Sequence, residues 1–244
     1  MTGPRCATMI AVSCLLLPLG CAAENAINVG YSERPPYMIP MPDGAPSGLT
    51  GTPTAKAFKT AGIPVVWHNV PTNRQLIMIH DATALNCAVG WFWTAERDGF
   101  AKFTKPIYRD KDWMVLANAA LAARGDTTLR ALLQRPETRI LVKDNYSYGT
   151  ELDKLLAPRR ASLAISTAAS GKMVQSIAKG VVDMMFVSED EGHYIMAHHP
   201  SEQTRNLRLL HFKDMPHGPE RHIMCSKAVP DDVINRLNKA ITLK

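Results

Sequence analysis

The chain has 244 residues, 46% of them hydrophobic and 20% charged, with a formal net charge of +6. These are the proportions of a soluble globular protein, and the length suits one large domain or two of about 100–120 residues, each able to bury a core without staples. The basic residues are scattered apart from Arg159-Arg160, which excludes the basic runs of a nucleic-acid binder and leaves a mild excess suited to an anionic ligand or surface.

In chain order, Arg5 is the only charge before Glu24, and an apolar stretch from Cys6 to Leu19 leads into Gly20-Cys21-Ala22-Ala23. A positive start, a short apolar block and small residues at its end read as a secretory signal peptide over 1–23, cleaved near Ala23 and too short to span a membrane. Gly20-Cys21 leaves open a lipoprotein acylated on Cys21, although Pro18 stands where such signals carry Leu. Of five cysteines, cleavage leaves Cys87 and Cys225. An oxidising compartment favours pairing them, and two separate buried thiols is the other reading.

Ile27 to Tyr31 reads as a strand. The Pro- and Gly-rich stretch from Ser32 to Pro53 reads as a loop with turns, and Thr54 to Ala61 as a helix stopped by Gly62. Pro64 to Trp67 is a strand. Asn73 to His80 is a helix with Arg74 and Gln75 outward and Leu76, Ile77 and Ile79 inward, and Leu85 to Val89 is a strand. Trp113 to Ala117, Arg139 to Val142, Ala161 to Ser166, Val182 to Val187, Leu207 to Phe212 and Arg221 to Cys225 read as further strands. Helices are expected at Thr128 to Leu133, Thr150 to Leu156, Gly171 to Lys179, Glu189 to His198 and Asp231 to Ile241. This βαβαβ pattern occurs twice, with a break at Asn118 to Gly125. It implies two α/β lobes with largely parallel sheets and a ligand cleft at the carboxyl ends of their strands.

Several patterns then fall in a telling order: Val29-Gly30-Tyr31 with Pro35-Pro36-Tyr37, Asp43-Gly44 with Gly48-Leu49, and Thr94-Ala95-Glu96-Arg97. Phe103-Thr104-Lys105-Pro106-Ile107-Tyr108, Lys179-Gly180-Val181-Val182-Asp183 and Leu237-Asn238-Lys239-Ala240 follow. Together they resemble extracellular solute-binding protein family 3, the amino-acid-type periplasmic receptors of ABC transporters. The resemblance covers nearly the whole mature chain. It implies a type II periplasmic-binding-protein fold, two α/β lobes joined by two hinge crossings near Trp113 to Ala117 and Arg221 to Cys225. Lobe 1 would span 24–115, lobe 2 116–220, and the return strand and C-terminal helix 221–244. In that topology the returning strand lies beside the third strand of lobe 1, which implies a Cys87–Cys225 disulfide.

The resemblance also assigns the site. Arg97 would bind the ligand's carboxylate, since a guanidinium is a rigid fork of donors matching two carboxylate oxygens. Thr94 would cap the next helix or reach an anion. Gly90 would let the chain approach the ligand. Trp91, Trp93 and Tyr37 would wall the cleft, or pack in the core. Asn145, Ser147 and Tyr148 precede a helix whose backbone N–H groups would hold a carboxylate, with a plain Ser147 cap as the alternative. Glu189 or Glu191 would take the ligand's ammonium, or only favour the helix dipole. The rim at Gly48-Leu49-Thr50-Gly51-Thr52 lacks the family's acid, which sets it apart from a standard amino-acid site.

The implied function is capture of an amino acid or small carboxylate by a monomer serving an ABC transporter permease, without catalysis, cofactor or nucleic acid. A cyclohexadienyl dehydratase-like enzyme on the same fold and an orphan sensory module are the alternatives. His193, His198 and His199 are spaced i, i+5 and i+6, off a common helical face, and suggest no metal site.

Overall fold

The computed structural model describes residues 3 and 25–243. The expected signal over 1–23, its cleavage at Ala23 and the acylation site Cys21 lie, apart from residue 3, outside the described residues. The first half of the chain runs β1 (Ile27–Tyr31), β2 (Ile39–Pro40), β3 (Pro46–Ser47), α1 (Gly48–Thr60), β4 (Val65–Asn69), α2 (Thr72–Asp81), β5 (Asn86–Phe92), α3 (Ala95–Phe100), β6 (Ala101–Phe103) and β7 (Tyr108–Arg109). Then follow β8 (Trp113–Asn118), α4 (Ala119–Ala122), α5 (Leu129–Leu133), β9 (Ile140–Lys143), α6 (Thr150–Leu156), β10 (Ala164–Ser166) and α7 (Ser170–Ala178). Last come β11 (Met184–Ser188), α8 (Glu189–His198), α9 (Ser201–Thr204), β12 (Leu207–Leu210), β13 (Glu220–Ser226) and α10 (Asp231–Ala240).

These strands form two main sheets, one per lobe. In the first the order is β4-β1-β5-β13-β6, with β7 also on β13; β1 pairs in parallel with β4 and β5, while β13 runs antiparallel to its neighbours. In the second the order is β10-β9-β11-β8-β12, parallel across β10, β9 and β11 and antiparallel at β8. Strict alternation in the second sheet explains its two covered faces. Trp113, Val115, Ala117, Met184 and Phe186 pack on one side with Leu129 and Leu152, and Met114, Leu116, Met185 and Val187 on the other with Val174 and Ile195.

β8 is paired in the second sheet along its length, so the first crossing lies at 110–112, ahead of the 115/116 boundary expected from sequence. The return crossing runs through 216–219 beside it: Asp110 N donates to Pro219 O at 3.1 Å and Trp113 N to Pro216 O at 3.3 Å. A Cβ on Gly218 would lie 2.1 Å from Lys111 O and 2.4 Å from Asp110 O, both backbone atoms. Gly218→Ala is therefore expected to prise the two crossings apart and cost about 1–3 kcal/mol, the usual range for overpacking. A urea midpoint unchanged from wild type would show that the crossings are not packed this way.

α1 starts six residues earlier than its pattern suggests and carries Pro53 inside it. The carbonyls of Pro36 and Tyr37 extend it backwards by accepting from Leu49 N, Thr50 N and Gly51 N, groups a free helix start leaves unsatisfied. Gly48 makes this possible: its φ is +99°, and a Cβ there would stand 2.4 Å from Pro36 O. The same contacts fix Tyr37 against lobe 1.

Candidate functional site

β5 delivers the site through a bulge. Arg221, His222 and Met224 of β13 face Phe92, Trp91 and Ala88 of β5, so Val89 and Gly90 stand opposite the single Ile223. Gly90 takes φ +76° at this point. The extra residue breaks the alternation: Cys87 and Val89 share the face covered by α1 and α10, but Trp91 joins Ala88 on the other face, beside α2. Trp91 is thereby placed to donate from Nε1 to Gln75 Oε1 at 3.1 Å.

Arg97 lies on Trp91, its guanidinium carbon 4.8 Å from the ring centroid. Thr94 caps α3 by accepting from Arg97 N at 3.2 Å, and the buried Arg97 side chain turns into the space between the lobes. Its Nη1 donates to Phe92 O at 3.0 Å and its Nη2 crosses to Asn145 O of the second lobe at 3.1 Å. Burial lowers its pKa from the ordinary value, and no carboxylate lies within salt-bridge distance of it among the described residues.

The lobes are closed on one another. Thr72 meets Tyr146 (3.4 Å), Asn73 donates to Asp144 (2.7 Å), Tyr108 donates to Asp190 (2.6 Å) and the hydroxyls of Tyr37 and Ser188 are bonded. The strongest tie is bidentate. Arg34 of lobe 1 donates from Nε and Nη2 to the two oxygens of Glu191 of lobe 2, at 2.8 and 2.7 Å, with both side chains largely buried. Burial works against the Arg34 charge, and Glu191 and Tyr146 more than restore it, holding its pKa above normal. Tyr146 lies under the same guanidinium, 5.2 Å from its ring centroid. Burial pushes its hydroxyl up, but Arg34, the Thr72 bond and Lys143 bring it below the usual value.

A second buried pair sits beneath. Arg221 donates from Nε and Nη2 to Asp110 at 2.6 and 2.7 Å and from Nη1 to Gly90 O at 3.1 Å, with its guanidinium over Tyr37 and Phe92. Arg34, Arg97 and Arg221 line one cavity together with Trp91, Tyr146 and Ser147. It is small, about 40 Å³, too tight for a metabolite with the lobes in this arrangement. A broader groove continues outward past Thr94, Arg97, Asn145 and Tyr148.

Of the residues singled out from sequence, Arg97, Gly90, Trp91 and Ser147 meet at the cavity, and Thr94 and Asn145 border the outer groove. Other placements differ from expectation. Trp93 is 48% exposed: it lies beyond the end of β5, where its indole donates to Asp98 on the surface. Glu189 faces the hinge and bonds Lys111 at 3.3 Å, because α8 turns its first residue away from the cleft. Tyr148 is a core residue packed on Trp113 and Phe186, its hydroxyl accepting from Lys143 N. Tyr37 packs behind the cavity, under Arg221, instead of walling it. The backbone donors before α6 are not open to a ligand either, since Asp153 accepts from Tyr148 N and Ser147 Oγ accepts from Gly149 N. Ser147 is not the cap of that helix; Gly149 holds the position without a side chain.

Arg34, Arg221 and Gln75 escaped the sequence reading. Gln75, expected outward, is buried and bonded to Ser32, Val70 O and Trp91, whereas Ile77, expected inward, is 52% exposed. The signal for Arg34 and Arg221 is faint: each is an arginine beside apolar residues, Pro35-Pro36-Tyr37 and Ile223-Met224, where a solvated cation is out of place.

No protein-family model matches the sequence, and no curated protein matches it. Solved structures do match in fold. One is the arginine-, lysine-, histidine-binding protein ArtJ from the thermophilic bacterium Geobacillus stearothermophilus, with 14% identity, a TM-score of 0.71 and coverage of 89% of this chain and 88% of that one. Another is a histidine kinase sensor domain with similarity to periplasmic binding proteins, at 16% identity, TM-score 0.68 and 89% coverage of each chain. A third is the ancestral amino acid-binding protein AncCDT-1, a precursor of cyclohexadienyl dehydratase, at 15% identity, TM-score 0.67 and 88% coverage of each. The likeness shows the fold, a type II periplasmic-binding-protein fold.

Proposed function

We propose that this chain is an exported, periplasmic solute-binding protein, acting as a monomer, whose lobes close on a small carboxylate-bearing ligand and present it to an ABC transporter permease. One observation carries the reading. A buried guanidinium, Arg97, reaches from one lobe to a carbonyl of the other, rests on an indole and has only carbonyl oxygens as hydrogen-bond partners. A buried cation held by neutral acceptors is under-compensated, and the anion that completes it would also hold the lobes together. The Cys87–Cys225 disulfide supports an oxidising compartment. Removal of 1–23 would release the protein, whereas acylation of Cys21 would tether it. A lyase or dehydratase in this cleft would need a carboxyl free to move a proton. Glu191 and Asp110 are each tied through both oxygens to an arginine, which favours capture over turnover.

A thermal-shift screen of amino acids and small carboxylates finds the ligand, because binding to the folded form alone raises the melting temperature. Arg97→Ala is then expected to weaken it by about 100-fold in titration calorimetry, close to 2.7 kcal/mol, with the unfolding midpoint retained. Arg97→Lys keeps the charge but not the fork and should recover only part of the loss. Undiminished affinity in Arg97→Ala ends the assignment.

A further inference from the structure

The cavity has cations on its walls and no carboxylate among its lining residues. Both acids that approach it are spent: Glu191 on Arg34 and Asp110 on Arg221. At the carboxyl end of β11 stands Ser188, a neutral residue that caps α8 and bonds Tyr37. Of the four acids that border the outer groove, Asp144 is bonded to Asn73 and Asp153 to Ser147 and Tyr148 N, while Asp81 and Glu96 are exposed to solvent. An ammonium group entering this space would meet three guanidinium groups and lose its hydration with no carboxylate on the cavity wall to replace it. A carboxylate would meet Arg97 and also Arg34, whose Nη1 has no hydrogen-bond partner among the described residues. Met38, Trp91 and Phe92 supply an apolar wall.

We infer that the ligand is a small organic acid without an amino group, its carboxylate on Arg97 with Arg34 beside it, and its apolar or aromatic body against Trp91 and Phe92. Arg34 fills from within the chain the place at Glu191 that a ligand's ammonium would need. The inference rests on the receptor reading above and narrows its ligand.

The test is titration calorimetry of the purified protein with pairs that differ only by an amino group. These are 3-phenylpropionate and L-phenylalanine, 4-methylpentanoate and L-leucine, glutarate and L-glutamate, and 5-guanidinopentanoate and L-arginine. The amine-free member is expected to bind at least about tenfold more tightly in the pairs that bind. Arg34→Met, which leaves Glu191 uncovered, is expected to reverse the order within such a pair. Should that variant fail to fold, the wild-type comparison decides alone. Tighter binding of the amino acids, still abolished in Arg97→Ala, overturns the ligand class and leaves the receptor reading standing. Absence of binding by every member at millimolar concentration, or binding indifferent to Arg97→Ala, overturns both.

Discussion

Arg221→Met is expected to lower the free energy of unfolding by about 3–5 kcal/mol, the range for breaking a buried ion pair from one side. The side chains of Arg221 and Asp110 are 4% and 0% exposed, and the guanidinium also holds Gly90 O and the faces of Tyr37 and Phe92. Methionine replaces the stem and none of those donors. Asp110 is then a buried carboxylate without a counter-charge, and it neutralises by taking a proton. Burial already pushes its pKa up, with Arg221 opposing; removing Arg221 raises it further. A carboxyl that binds its proton more tightly when folded contributes stability in full below its unfolded pKa, about 4. That contribution drains away as pH rises through the folded value. The deficit of Arg221→Met relative to wild type should therefore be smallest in mild acid and grow towards neutral pH. Urea unfolding of both proteins at several pH values measures it. A loss under about 1 kcal/mol that is flat with pH would mean the pair is dispensable. The double variant Arg221→Met/Asp110→Leu, which removes both charges, should regain much of the loss.

This pair lies at the junction of the hinge and the cavity, so the same residues that stiffen the crossings also set the charge of the cleft. Asp110 belongs to the first crossing and Arg221 to the strand that returns from the second, and the bulge at Gly90 offers its carbonyl to the same guanidinium. Lobe closure thus takes place over a floor of fixed, compensated charge. The tie at the cleft itself, between Arg34 and Glu191, crosses from lobe to lobe and has to part when they open.

Much of this architecture was legible in the sequence because short apolar runs and helix caps are local. The strands at Ile27–Tyr31 and Met184–Ser188 and the helix at Glu189–His198 follow from their own residues. Arg97 was legible through the Thr94-Ala95-Glu96-Arg97 motif, whose Thr caps the helix that carries the guanidinium. What could not be read locally depends on contacts distant in sequence. Gln75 turns inward because Trp91 and Ser32 offer partners, which inverts the face expected of α2. α1 begins at Gly48 only because the carbonyls of Pro36 and Tyr37 complete its first turn. Arg34 finds Glu191 across 157 positions and Arg221 finds Asp110 across 111. A buried arginine with a distant partner leaves no periodic trace, so the cleft's charge pattern emerged only from the fold.

Removing the disulfide is expected to be as costly as breaking the buried pair, by a different route. Cys87 of β5 and Cys225 of β13 are a registered pair on adjacent strands, 138 residues apart. The bond joins the two chain segments that make lobe 1 and encloses the entire second lobe between them. Cross-linking so long a loop restricts the unfolded chain by an amount that loop-closure entropy puts at about 5 kcal/mol, and measured losses for native bridges run at roughly 2–5 kcal/mol. Cys87→Ala/Cys225→Ala should therefore unfold at markedly lower urea concentration and melt about 10 °C lower, given roughly 2–4 °C per kcal/mol for a chain of this size. Treating the wild type with a thiol reductant should move it towards the variant. Ligand affinity is expected to stay unchanged, because both cysteines pack in the cluster under α1 and α10, away from the cavity residues at the other end of β5. A double variant as stable as wild type would show that pairing of β5 with β13 alone holds the returning segment. One that folds normally yet loses affinity would show that the register of β13 governs the placement of Arg221 and Gly90 in the cleft.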